Sequence, residues 1–305
     1  MSRPAPRTID EYLKQLRATL EGEDPALIQD ALYDAEEYLR AEVAANPGKS
    51  EADVLELIAS TYGAPDEVAA AYRDTEAKVK AALQPPVRVR AEPPGALARF
   101  FSIYSDARAY TSIFFMLLAL ATGIVYFTIT ITGLALSAGL SVLIIGLPFF
   151  LVFVGITRVI SLGEGRLLEA MTGERMPRRP MHPGAPTGFI ARIWEMLKDA
   201  RTWTTLGYFL LMLPLGICYF VIATVGLSVG LGLIAAPFVR LLAWFGVFGW
   251  TVNFDSESVW ADNPVSYILC ALLGIVVLTV LMHLARGIGR IHARVAKALL
   301  VTHGL

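Results

Sequence analysis

The sequence predicts an all-α protein in which a small soluble N-terminal helical bundle precedes a polytopic α-helical membrane domain. Three observations carry this. Charged residues, 17% of the 305, crowd into the first third of the chain, while apolar residues, 55% in all, fill the rest and raise the mean hydropathy to +0.55. Stretches such as 112–131, 140–156, 206–225 and 269–284 approach or reach the ~20 residues needed to cross a ~30 Å hydrocarbon core. Glycines, aromatics and charges of the membrane half also recur at one constant offset, as expected of two tandem repeats.

Residues 1–80 form the predicted soluble domain, with its helices between 8 and 75. Thr8 followed by Glu11 is a capping-box signature, and Ile9, Tyr12, Leu13, Leu16 and Leu20 follow at helical spacing. Asp24-Pro25 supplies an N-cap with proline at the first helical position. The second helix turns Leu27, Ile28, Ala31, Leu32, Ala35, Tyr38 and Leu39 inward until Asn46-Pro47-Gly48 breaks it. Ser50 starts a third helix carrying Val54, Leu55, Ile58 and Tyr62. Gly63 suits a C-terminal cap, and Pro65-Asp66-Glu67 opens a last short helix with Val68 and Tyr72. Residues 81–105 read as a proline- and alanine-rich linker and juxtamembrane segment.

Beyond the linker, Asp106-Ala107-Arg108-Ala109-Tyr110-Thr111 returns as Asp199-Ala200-Arg201-Thr202-Trp203-Thr204. Gly123-Ile124-Val125-Tyr126-Phe127 returns as Gly216-Ile217-Cys218-Tyr219-Phe220. Gly133-Leu134 and Gly139-Leu140 return as Gly226-Leu227 and Gly232-Leu233, all 93 residues on. The units are therefore 106–198 and 199–305. Each is expected to hold a basic-aromatic anchor, a spanning helix, a glycine turn and a second apolar segment. Their shared direction suggests a parallel repeat.

Lysine and arginine set the expected orientation, because cytoplasmic loops carry the excess. Arg88, Arg90, Arg99 and Arg108 precede the first span; Arg166, Arg175, Arg178, Arg179, Arg192, Lys198 and Arg201 fill the central loop; Arg286, Arg290, Arg294 and Lys297 mark the tail. Segment 251–264 has none, but has Asp255, Glu257 and Asp262. A multi-pass membrane protein follows, with both termini cytoplasmic. Such a chain crosses an even number of times, yet five apolar segments exist. The weakest, 229–250, contains Pro237 and Arg240, and a charge at the bilayer centre costs about 2.5–3.5 kcal/mol. It is expected to be re-entrant or interfacial, leaving four full spans. No apolar h-region precedes them, so the first span is expected to act as its own insertion signal.

Two resemblances appear at this point. Glu11-Tyr12-Leu13 with Leu16 and Leu20, Asp34-Ala35-Glu36-Glu37-Tyr38-Leu39, and Tyr62-Gly63-Ala64-Pro65-Asp66-Glu67-Val68-Ala69 resemble the HAAS signalling domain. That is a helical module of bacterial membrane proteins often linked to PadR-type regulators. Arg201-Thr202-Trp203, Leu213-Pro214-Leu215-Gly216-Ile217, Tyr219-Phe220, Gly230-Leu231-Gly232-Leu233, Ala236-Pro237 and the tail from His283 to Leu300 resemble the bacterial "putative sensor" membrane domain. In that family a cytoplasmic histidine kinase often follows the tail. Here the sequence runs to Leu305 without one, so output is expected through a partner or through the N-terminal module.

Gly226-Leu227-Ser228-Val229-Gly230 matches a nucleophile-elbow pattern, but its repeat copy places Ala135 where the serine stands, and a packing turn of G-x-x-x-G type is the simpler reading. His283 and His292 are expected at the lipid interface. Cys218 and Cys270 lie in apolar runs, so no disulfide, metal or cofactor is expected. Arg175–Arg179 and Arg286–Lys297 set topology or meet anionic headgroups. Asp34, Glu36 and Glu37 are expected on a solvated helix face.

The expected ligand or lipid contacts are Arg240, Trp244, Trp250, Asp255, Glu257 and Trp260, because an ionisable group at membrane depth beside an aromatic cluster suggests a site. The expected partner surface is Asp34, Glu37, Tyr38 and Tyr62. The whole suggests a non-enzymatic sensory or regulatory protein. It would perceive a membrane or lipophilic signal and pass it to a cytoplasmic or membrane protein through residues 8–75. Nothing suggests direct nucleic-acid binding, and homo-oligomerisation stays open. The alternative is an accessory or lipid-binding subunit of an ABC-type transport complex.

Overall fold

The computed structural model describes residues 5–83, 95–143, 145–179, 194, 196–245 and 264–301. Among these every regular element is helical. The N-terminal helices are α1 (Ile9–Thr19), α2 (Pro25–Ala45), α3 (Glu51–Ala59) and α4 (Pro65–Leu83). Their starts follow the predicted caps. The Thr8 hydroxyl accepts from the Glu11 amide at 3.2 Å, and the Asp24 carboxylate from the Ala26 amide at 2.9 Å. Ser50 and Asp53 close a reciprocal capping box.

Gly63 does not cap α3, which ends at Ser60. It stands in the loop before α4 at φ +105°, a backbone that glycine adopts without a Cβ penalty, and its carbonyl accepts from the Tyr12 hydroxyl at 2.8 Å. The last helix is not short: α4 runs 19 residues, because the alanines after Val68 favour helix throughout. The expected linker is likewise partly helical. Residues 84–94 lie outside the described ones, but α5 (Ala96–Phe101) and a 3-10 turn (Ser102–Ser105) occupy its end.

Among the described residues four helices are long and apolar enough to cross a membrane: α6 (Ala107–Ser141), α7 (Gly146–Thr172), α8 (Ala200–Trp244) and α9 (Pro264–Leu300). The glycine turns expected at 133–139 and 226–232 are absent, since both stretches are helical interior. The segment at 229–250 likewise does not stand apart. Through Trp244 it continues α8, with Pro214 and Pro237 both inside the helix. In hydrocarbon each unpaired backbone group costs several kcal/mol, so continuing the helix past glycine or proline is cheaper than breaking it. At ~1.5 Å per residue the 45 residues of α8 reach ~68 Å, about twice the core thickness. One end must therefore protrude, and Arg240 need not sit in lipid.

The chain forms two compact units, Met1–Ala91 with Leu136–Thr205 and Ala296–Leu305, and Glu92–Ala135 with Leu206–Val295. In the first, Ile9, Tyr12, Leu16, Leu20, Ile28, Ala31, Ala35, Leu39, Val54, Leu55, Ile58, Val68 and Ala69 form the core of the N-terminal module. Leu13, Leu32, Tyr38, Tyr62 and Tyr72 pack around it.

The second unit is held by close helix approach. A Cβ at Gly123 would stand 2.6 Å from the Met212 carbonyl oxygen, and one at Gly216 would collide with the carbonyl of Ala119. These two contacts are reciprocal at the offset of 93. A Cβ at Gly274 would meet the Gly230 carbonyl at 2.7 Å, where α8 and α9 cross. Glycine at these points lets the backbones touch.

Candidate functional site

Helix α7 ends on Gly173, whose φ of +74° is the left-handed cap that turns the chain away. Glu174 to Arg179 then run without regular structure. Pro177 disfavours the helical region for the preceding Met176, so the segment does not resume a helix. Met176 is buried and packs beside Gly165, where a Cβ would be 3.3 Å away. This anchors the segment to α7 and presents Arg175, Arg178 and Arg179 to the N-terminal module.

The module meets them with carboxylates of α2 and α4. Asp30, only 6% exposed, accepts from the Arg178 and Arg179 amides at 2.9 and 3.0 Å through Oδ1, while Oδ2 pairs with the Arg175 guanidinium at 3.2 Å. Arg175 also pairs with Glu76. Arg179 pairs with Asp34 at 2.9 Å, and its guanidinium lies 5.6 Å over the Tyr33 ring. The Tyr72 hydroxyl donates to Asp34 at 2.9 Å. The buried Gln29 is a bridge: its amide donates to the Arg179 carbonyl at 2.6 Å, and its oxygen accepts from Arg201 at 3.1 Å. At the tail, Lys297 pairs with Asp24 at 2.7 Å. A cavity of about 220 Å³ remains between Leu27, Asp30, Tyr72, Thr75, Glu76 and the three arginines.

Burial pushes the Asp30 carboxyl above its ordinary range, against the downward pull of the two amides and Arg175. Burial first, then Asp34 alongside, raises the Tyr72 hydroxyl. Arg178 is held above its usual value by its hydrogen bond to Glu169. The arrangement is thus a charge-assisted clasp. It joins the module to the end of α7, the start of α8 and the end of α9, and offers no nucleophile–base pair.

Of the expected partner residues, only Glu37 faces solvent. Asp34 is held in the clasp and Glu36 is buried in an ion pair with Arg40, so the expected solvated face is largely occupied. Tyr38 and Tyr62 stack on each other at 4.3 Å. Arg240 is exposed near the end of α8, flanked by exposed Phe238, Val239, Leu241 and Leu242. The Trp244 side chain, Trp250, Asp255, Glu257 and Trp260 lie outside the described residues.

The two tail histidines separate. His283 is exposed and stacks on Phe100. His292, 1% exposed, is not interfacial: Tyr208 approaches Nε2 at 3.0 Å and Tyr219 approaches Nδ1 at 3.4 Å, with Phe115 alongside. Ser228 lies inside α8 rather than at a strand-to-helix turn, so the elbow geometry is absent. No group of three His, Cys, Asp or Glu that could hold a metal occurs among the described residues.

The capping signals pointed to the module's helices, but Gln29, Asp30 and Glu76 carried no signal of their own. The basic run at 175–179 was visible, and its docking on α2 was not.

A family model described as "putative sensor" matches residues 115–300. No curated protein and no solved structure matches the chain.

Proposed function

The chain belongs to the sensor family across residues 115–300, and from that membership we propose a bacterial inner-membrane sensor. In this reading the protein has no enzymatic activity and passes a membrane or lipophilic signal to a cytoplasmic protein partner through its N-terminal module. The clasp carries the proposal. A module bound at once to the ends of α7 and α9 and the start of α8 registers any relative movement of those helices. Gln29 touches both the segment that follows α7 and the start of α8, with donor and acceptor both used. The three helix ends meeting one module support an even number of crossings. The arginines around them favour the cytoplasmic face.

The N-terminal module is proposed to act as a HAAS-type output domain, on its caps, its tyrosine-rich core and its resemblance. The offset of 93 supports two related membrane units. Asp106 and Asp199 cap α6 and α8 alike, each accepting at 3.0 Å from the amide two residues on. Each also pairs with an arginine, Arg286 for Asp106 and Arg158 for Asp199.

Pull-downs from membranes with the full chain and with a chain lacking residues 1–84 test the role. Partners that depend on the module are expected. Identical partners for both chains would sink it, and an ATPase captured by both would favour a transport subunit.

A further inference from the structure

Building on that adaptor role, we propose that the α2–α4 face around Asp30, Asp34 and Glu76 is a recognition site for a non-helical arginine-containing segment. In this state the chain's own residues 174–179 fill it, and a basic segment of the partner takes their place when they leave.

The face reads more than charge. Asp30 Oδ1 accepts from two successive backbone amides, and Gln29 donates to the carbonyl of the second of those residues. These three bonds define a peptide backbone and its direction. Three carboxylates then take guanidinium groups, and Tyr33 supplies an aromatic surface beneath one of them. Arginine fits such a set through its planar fork and ring stacking, whereas a lysine ammonium offers neither. The occupant makes no helix of its own and bends at Arg178 and Arg179, so the site suits an irregular, non-helical segment. Occupation by a tethered segment also masks the site, because a short tether holds its end at an effective concentration around mM. A free segment of similar intrinsic affinity then competes only after the tethered one is displaced. The occupant begins at the cap of α7 and Gln29 is tied to the start of α8, so a shift of one helix against the other would strain the docked segment.

The test uses the full chain in zwitterionic nanodiscs and a fluorescent peptide with the sequence of residues 173–179. Binding is read by anisotropy against empty nanodiscs. The loop-reversed chain, Arg175→Glu with Arg178→Glu and Arg179→Glu, is expected to bind the peptide at least about tenfold more tightly than the unaltered chain. Adding Asp30→Asn, Asp34→Asn and Glu76→Gln should remove that gain, and a peptide with lysine in place of arginine should bind several-fold more weakly. Because three reversals could disturb folding, the single change Arg179→Gln is measured as well. It should raise both peptide binding and hydrogen exchange at residues 174–179.

Equal binding to all chains, binding that survives loss of the carboxylates, or no binding anywhere would overturn the proposal. If the peptide binds as expected while pull-downs ignore residues 1–84, the site stands and the adaptor role falls. The reverse pattern sinks the site alone.

Discussion

Asp30 shows how far one residue's environment departs from its sequence neighbourhood. On α2 it falls among residues whose spacing marks a helix, and a carboxylate there is ordinarily solvated. Docking buries it instead, and burial raises its carboxyl. A carboxyl raised in the folded state contributes stability that is fully present below its unfolded value, near 4, and is lost as pH rises through the folded value. Arg175, Arg178 and Arg179 face it, with Glu76, Asp34 and Tyr72 nearby. The Asp30 contribution to docking, read by hydrogen exchange at residues 174–179, should therefore weaken as pH rises past the ordinary carboxylate range. Asp30→Asn should remove that part of the dependence, because the amide cannot ionise and its oxygen can still accept from the two backbone amides. A profile identical in both chains would contradict this.

The crossing glycines give a second residue-scale expectation. Gly123→Leu or Gly216→Leu drives a side chain into a neighbouring carbonyl and should destabilise the membrane bundle by about 1–3 kcal/mol or more. Gly207→Ala on α8, with open space around its Cβ position, is the neutral control. Unfolding in detergent measures both.

At the scale of elements, the caps and the core periodicity of α1 to α4 were legible because they depend on neighbours three or four residues away. The length of α4 and the continuity of α8 were not. The same glycines and prolines that end helices in water are carried within helices in lipid, where breaking the backbone bonds is dearer. The clasp is an element-scale feature too, made by a helix cap and a proline that together keep six residues out of a helix. Its parts should respond differently to salt. The half-exposed Arg179–Asp34 pair should weaken between low and physiological ionic strength, while the buried Asp30–Arg175 pair should change little. Removing one partner of a buried pair typically costs ~3–5 kcal/mol, so Asp30→Ala should release residues 174–179 far more than Asp34→Ala does. Exchange rates of those amides, compared across the two variants, decide it.

For the whole molecule, the four long apolar helices among the described residues make this a multi-pass membrane protein. The arginine-bearing ends of α7, α8 and α9 converge on the N-terminal module. Cysteines introduced one at a time at 178 and 179 should be labelled only from the cytoplasmic side, and those at 252–262 only from the opposite side. The reverse pattern would invert the proposed orientation.

The sequence by itself determined the N-terminal helical bundle, its caps and most of its core, the four long apolar helices and the offset of 93. All of these follow from local periodicity and from the length a bilayer demands. Only the tertiary structure decided that 229–244 extends α8, that Gly123 and Gly216 mark a reciprocal crossing, and that His292 is buried between two tyrosines. It also decided that α2 holds the arginines of a segment some 145 residues away. Such pairings depend on which surfaces meet across long stretches of chain, and periodicity carries no record of them.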